Sequence, residues 1–444
     1  MSSDEIAEPA AGEDVETPGG GEPGGYAPSV AERLAFYQRA GGIITPVLTT
    51  VFAFFMGGIV VAATGHDPLK TYHAIFNGTG LNWFFHVGNY HIDIPFTNHH
   101  VWFPWNTAAD IASPGYSVPA NSLAQTLLYS TTLILTGLSV AFAFRCGLFN
   151  IGGQGQYLAG AITGVYIGTR FLGMPGLLHI VVAIVLAALA GAFWGAIAGF
   201  LKATVGAHEV ITTIMLNWIV IWLGQYLFGI GGPLQNHVDA TNPKSDTIAA
   251  NTHLSVWWGN PFLQGLHTGF FIAIAALIVF WIVLTRTTLG YQVRAVGFNP
   301  DAARYGGISV SRNYVVTMAI AGMFAGLAGV IDMLGYAYRL DVLDIQVSTV
   351  GFIGIAVALL GRNKTLGVFL GALLFGALIN GTSTRNPGLA HVFDPRFAGN
   401  FSTMIQALVL LFIGADLLIL YVWQLRRKVR LRTRTAAGAA EGTA

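Results

Sequence analysis

Cysteine is almost missing from this 444-residue chain: Cys146 is the sole thiol, which excludes an internal disulfide and any multi-cysteine metal site and reads as a small apolar filler. Charge is scarce too, at 10% of residues against 54% hydrophobic, and a mean hydropathy of +0.60 cannot be hidden inside a water-soluble surface. The chain therefore reads as a polytopic membrane protein. No GxxxxGK[ST] phosphate loop occurs, and none of the five lysines follows a glycine, so nucleotide binding through that motif is excluded. Any ATP chemistry has to come from another polypeptide. HExxH, GxSxG and paired-carboxylate signatures are absent as well, so no catalytic residue and no enzymatic activity are expected.

What is there is hydrophobic and segmented. The net charge of +1 averages an acidic N-terminal tail, a nearly charge-free middle and a basic C-terminal tail. Residues 1–32, rich in Gly, Pro, Ala and acids, read as a disordered cytosolic tail and not a signal peptide. Residues 33–425 read as the transmembrane domain, and 426–444 as a basic cytosolic tail. Apolar stretches long enough to cross roughly 30 Å of hydrocarbon number about ten. They lie near 43–64, 122–144, 148–169, 177–201, 210–230, 268–285, 314–334, 350–360, 366–379 and 403–423. The eighth and ninth are short enough to form a broken pair of half-depth helices, tolerable only inside protein or beside a wet cavity. With both termini inside, 16 of the 22 Lys and Arg residues fall on the cytosolic side, which favours an even number of crossings.

Between the sixth and seventh stretches, residues 285–313 carry Arg286, Arg294, Arg304 and Arg312 against one acid, Asp301, which places the segment on the cytosolic side. Asn299 suits an N-cap, Pro300 the first helical position and Asp301 the first turn, while Gly306-Gly307 suits a left-handed end. A short cytosolic helix follows from this pattern. It is either an idle loop element or a handle by which a soluble partner moves the spans.

Glycines at four-residue spacing, Gly160/Gly164/Gly168, Gly191/Gly195/Gly199, Gly322/Gly326 and Gly367/Gly371, predict close helix contacts. Two long outer loops, 65–121 and 231–267, mix aromatics with Asn, Pro and His, and 68–78 reads as an interfacial amphipathic helix. His86, His91, His99 and His100 do not amount to a metal site, because the adjacent pair is not a chelating spacing and no Cys or clustered acid joins them. The acids within or beside the spans, Glu209, Asp332 and Asp416, are expected near span ends. A proton-driven secondary carrier would need ionisable groups at the midplane. The spans offer uncharged polar groups instead, notably Gln125, Asn150, Gln154, Gln156 and Asn217, which suit a neutral, hydrogen-bonding solute. Simpler readings stand beside these. Asn150 could satisfy backbone freed by the glycine-rich bend, Asn217 could bond a neighbouring helix, and Glu209 could be an acid at a helix N-terminus.

Four collinear segments, GLFNIGGQGQYLAG from Gly147, AHEVITTIMLNWI from Ala207, TTLGYQVRAVGFNPDAARYGGI from Thr287 and GFIGIAVALLGRNKTLGVFLGALLFGAL from Gly351, carry a resemblance. Together they resemble permease subunits of bacterial ABC importers in the branched-chain amino acid and simple-sugar superfamily, with the nucleoside branch nearest. The resemblance implies an all-α fold in the bacterial cytoplasmic membrane, with residues 286–313 as a coupling loop moved by a cytosolic ATPase dimer. By that likeness Asn299, Pro300, Ala302, Ala303 and Gly307 shape the coupling helix, and Arg294, Arg304 and Tyr305 touch the ATPase. It also implies a second, homologous or identical permease, an extracytoplasmic substrate-binding lipoprotein, and ATP with Mg held by the partner subunit, so that this chain binds no cofactor. Membrane lipid surrounds it, and no nucleic acid is expected. Nucleosides are the implied cargo, with a simple sugar of the ribose or galactose type, or a branched-chain amino acid, as rivals.

Overall fold

Proline-free runs of Leu, Ile, Val, Ala and Phe set most of this architecture, because each satisfies its own backbone as a helix while presenting apolar surface all round. A computed structural model describes residues 44–84, 91–93, 100–102, 117–259, 265–383, 386–390, 392 and 395–414. The predicted tails, 1–32 and 426–444, lie outside them, as do His86, His99 and Asp416. The chain divides into units Met1–Ile44 and Thr45–Ala444; only Ile44 of the first is described.

In order, the helices are α1 (Ile44–Ala63), α2 (Pro68–Thr79), α3 (Val118–Arg145), α4 (Gly153–Arg170), α5 (Gly176–Val205), α6 (Glu209–Phe228) and α7 (Gly269–Arg286). They continue as α8 (Thr288–Phe298), α9 (Pro300–Tyr305), α10 (Val310–Asp332), α11 (Val342–Val347), α12 (Val350–Leu360), α13 (Thr365–Gly381), α14 (Pro387–Ala390) and α15 (Pro395–Gly414). Two small antiparallel pairs interrupt the helical pattern in the long loops: β1 (His91–Asp93) with β2 (His100–Trp102), and β3 (Val256–Trp258) with β4 (Leu266–His267).

Among the described residues each of the ten predicted apolar stretches overlaps a helix, the tenth as far as Gly414, yet seven stretches are long and apolar enough to cross a membrane. The third stretch, α4, falls short because its glutamines and glycines lower its hydropathy, and it becomes helical only at Gly153. The eighth lengthens, since α11 and α12 run on as Val342–Leu360 through a break at Ser348 and Thr349. The ninth, α13, stays short at 17 residues. Helix α2 has Asp67 as N-cap, and it packs inward through Thr71, Ala74 and Ile75.

Two helices form the centre. In α3, 83% of the most apolar stretch is buried, against 22% in α1, so α3 is a core element and α1 a peripheral one. Helix α10 is pressed between α4 and α5 by its small residues. A Cβ on Gly191 or Gly160 would collide with the carbonyls of Gly322 and Gly326, an approach only glycine permits. Asp332 does not sit at an open span end as its sequence position suggested. The helix runs on as a π-turn through Ala337, leaving Asp332 only 1% exposed. The hydroxyls of Thr132 and Tyr157 donate to its two oxygens and replace water there.

Candidate functional site

Two regions gather the residues singled out from sequence. The first is a polar seam where α4 begins. Glycines 152, 153 and 155 leave this helix start without a side-chain cap of its own. Asn217 reaches in from α6 instead: its Oδ1 accepts from the Gly155 N–H at 2.7 Å, and its Nδ2 donates to the Ile151 carbonyl at 3.0 Å. Gln154 Oε1 accepts from the Gly351 N–H at 2.8 Å, which ties α4 to the start of α12. Asn150 and Gln156 bond each other reciprocally at 2.9 and 3.0 Å, with Ser139 of α3 donated to by Asn150 at 3.1 Å.

The seam thus brings together Asn150, Gln154, Gln156 and Asn217, all 3% exposed or less. Gln125 is not part of it, lying about four turns away along α3, also buried. Asn150 bonds side chains and leaves the freed backbone to Asn217. Of these partners, Ser139 was not recognised from sequence. One serine among the several hydroxyl residues of α3 gives no signal until α4 is placed beside it.

The second region is the turn from α7 to α10. Three caps in succession define it: Thr287 Oγ1 accepts from Gly290 N–H at 3.1 Å, Asn299 Oδ1 from Asp301 and Ala302 N–H at 3.0 Å each, and Ser309 Oγ from Arg312 N–H at 3.4 Å. The helix expected from Asn299 to the glycine pair is the six-residue α9, and an eleven-residue α8 that was not expected precedes it, the two separated by the extended φ of −157° at Asn299. Helix α9 ends as the glycine pair predicted. Gly307 has φ +81°, Ile308 N–H returns to Ala303 carbonyl and Gly307 N–H to Arg304 carbonyl, both at 3.0 Å.

This corner is clamped to the spans. Val293, Val296 and Ala303 are buried, and Gly297 lies so close to the Arg145 carbonyl that a Cβ would not fit. Arg145, at the end of α3, donates to the Asn363 carbonyl at 2.6 and 3.1 Å. Facing out are Arg294, Pro300, Ala302, Arg304 and Tyr305, the last 97% exposed. The Arg304–Asp301 pair at 3.6 Å is open to solvent and contributes little. Phe298, 94% exposed, and Tyr291 also project outward and were not singled out from sequence. The signal for Phe298 was an aromatic directly before an Asn-Pro cap. Beside α8, a cleft of about 340 Å³ is lined by Thr288, Leu289, Gln292, Arg312, Asn313 and Val316.

Nearby, Lys202 and Glu209 pair at 2.9 Å and join the end of α5 to the start of α6. Glu209 is therefore more than an acid at a helix N-terminus. Among the described residues, no group of three or more His, Cys, Asp or Glu could hold a metal ion.

Residues 122–414 match the family described as branched-chain amino acid transport system, permease component. A guanosine ABC transporter permease protein of Bacillus subtilis is 33% identical over 391 residues, covering 87% of this chain and 97% of that protein. A nucleoside ABC transporter permease protein of Lactococcus lactis is 34% identical over 382 residues, 85% of this chain and 92% of its own length. A glucose ABC transporter permease protein of Haloferax volcanii is 29% identical over 376 residues, 83% of this chain and 86% of its own length. No solved structure matches.

Proposed function

From the premise that this chain belongs to the family of permease components of branched-chain amino acid transport systems, we propose that it is the membrane subunit of an ATP-driven importer of nucleosides. The observation that carries the cargo is the 33–34% identity, across most of the chain, to relatives named for guanosine and nucleosides. A sugar is the second reading, favoured by the glucose relative at 29%.

The power comes from elsewhere. The chain has no phosphate loop, so ATP and Mg belong to a cytosolic ATPase dimer that docks on α8 and α9. A capped element clamped to α3 passes a push on to the spans where a loose loop would absorb it. Arg294, Arg304 and Tyr305 offer the contacts, while Asn299, Pro300, Ala302, Ala303 and Gly307 keep the shape. Phe298 joins the contacts on its exposure, and the cleft beside α8 offers room for a partner side chain.

The ten helices on the predicted stretches support ten crossings with both termini cytosolic, in a bacterial cytoplasmic membrane. A second permease and an extracytoplasmic binding lipoprotein complete the system. Asn150, Gln154, Gln156 and Asn217, with Gln125 further along α3, give the passage its uncharged polar lining. Their burial here is what a shut passage requires. The test is uptake by the assembled transporter in vesicles loaded with ATP. Labelled guanosine accumulates, and unlabelled nucleosides compete where glucose does not; competition by glucose alone would replace the cargo.

A further inference from the structure

Helix α12 starts at half depth in the membrane. It is eleven residues long, about 16 Å, which is roughly half of the 30 Å of hydrocarbon. Its far end meets the cytosolic turn where Arg145 donates to the Asn363 carbonyl, so its start lies near the middle. There the chain breaks from α11 at Ser348 and Thr349, and Thr349 is exposed on the surface of the subunit. Irregular backbone at that depth is tolerated only inside protein or against a water-filled passage, because hydrocarbon offers it no hydrogen bond.

The same place gathers donors. Thr349 is the N-cap of α12 but makes no side-chain bond to it, so the first N–H groups of the helix turn elsewhere. Those of Phe352 and Ile353 return to the Thr349 carbonyl, and that of Gly351 goes to Gln154 Oε1 at 2.8 Å. Gly351 is pressed against the Gln154 backbone so closely that a Cβ would not fit. The bond to Gly351 fixes which way the Gln154 amide points. Its oxygen is used, while its Nε2, on a side chain 0% exposed, has no partner among the described residues. The rest of the polar seam differs: Asn217 bonds backbone with both ends of its amide, and Asn150 and Gln156 bond each other. A buried donor left unpaired is costly, and an acceptor that reaches it is bound the more tightly for that.

We propose that the break between α11 and α12 is a cargo site, in which Gln154 Nε2 and the start of α12 donate to an acceptor oxygen of a neutral solute. This deepens the proposed function and rests on it for the cargo: on the nucleoside reading the oxygen is a carbonyl of the base. A carbonyl has two lone pairs, so it can take the side-chain and the backbone donor together. Half-depth helix starts at broken spans serve transporters in this way, their positive ends turned to the solute.

The test uses the assembled transporter in vesicles with ATP. It compares uptake of guanosine with that of 2-aminopurine riboside, which has the same sugar and amino group but no base carbonyl. Gln154→Met keeps the length of the side chain and loses the donor, and it should lower the ratio of the two uptakes about tenfold relative to the unmodified transporter. The binding protein is the same in both, so its own preference cancels. A merely structural role for Gln154 would lower both uptakes together, and an unmoved ratio would overturn the proposal. Thr349→Cys reads the site without touching Gln154. Cys146 is buried, so a charged thiol reagent has no competing target on this chain. Thr349→Cys should react about tenfold faster than Val185→Cys on the apolar exposed face of α5, and saturating guanosine should slow it about threefold. Labelling no faster than at Val185, or labelling that guanosine leaves unchanged, would overturn the proposal as well. The premise is read separately on the unmodified transporter. Uptake of glucose and not guanosine removes the cargo reading, and the site then stands if glucose protects Thr349→Cys and falls if it does not.

Discussion

Asn217 caps Gly155 across a helix boundary, accepting its N–H at 2.7 Å while donating to the Ile151 carbonyl 3.0 Å away. One amide of α6 thereby completes the start of α4, whose own glycines provide no cap. Asn217→Leu orphans two buried backbone groups at about 1–3 kcal/mol each, partly offset by added apolar burial. Thermal unfolding in detergent should show a clear loss. An Asn217→Leu variant as stable as the unmodified chain would remove this capping role.

The α5–α10 contact predicts a sharper outcome. Gly322 lies against the Gly191 carbonyl with no room for a Cβ, so Gly322→Leu forces the helices apart across their whole shared face. The variant should fail to yield monodisperse protein in size-exclusion chromatography. Gly173→Leu, with nothing within 4 Å of a Cβ, should be tolerated.

His267 supplies a pH signature. Its Nδ1 accepts from the Gly269 N–H at 3.1 Å, which caps α7 and requires a neutral ring, and burial pushes the imidazole down from 6.5 to about 4. The unfolded chain binds this proton first as pH falls. The stability tied to the neutral ring is therefore complete above pH 6.5 and declines as pH drops towards 4. Melting temperatures at pH 7 and pH 5 should differ more for the unmodified protein than for His267→Gln, provided other groups are unchanged. An equal difference would show that His267 does not carry the effect.

At the other end, replacing Asn299-Pro300 with Gly-Gly removes both the cap and the fixed φ of α9. ATP hydrolysis by the assembled transporter should persist while uptake falls. Arg294→Glu with Arg304→Glu should weaken co-purification of the ATPase, and Phe298→Ala should add to that loss. Intact association in all three would move the contact elsewhere.

The corner at 287–309 was legible because caps and turns are local: Asn299, Pro300 and Gly307 each act within a few residues of themselves. The separate α8 ahead of α9 was not read, because the Thr287 cap was not recognised, although the extended φ that divides the two helices follows from Asn299 standing before Pro300. The glycine stripes announced close packing without naming the partner, because Gly191 meets Gly322 only once α10 lies between α4 and α5. The polar seam was visible as a list of amides and invisible as a network. Gln154 with Gly351 and Thr132 with Asp332 join residues some 200 positions apart, and their pairing follows from helix placement alone. Membrane crossing was hardest to read for α4, where the glutamines that make it central also depress its hydropathy.

The central claim is that this subunit provides a passage and a lever while another polypeptide provides the energy. Purified chain reconstituted in vesicles without its ATPase should not accumulate labelled guanosine against a gradient, with or without ATP or a proton gradient; adding the ATPase, its partner permease and the binding protein, with ATP, should restore accumulation. Accumulation by the chain alone would contradict the account.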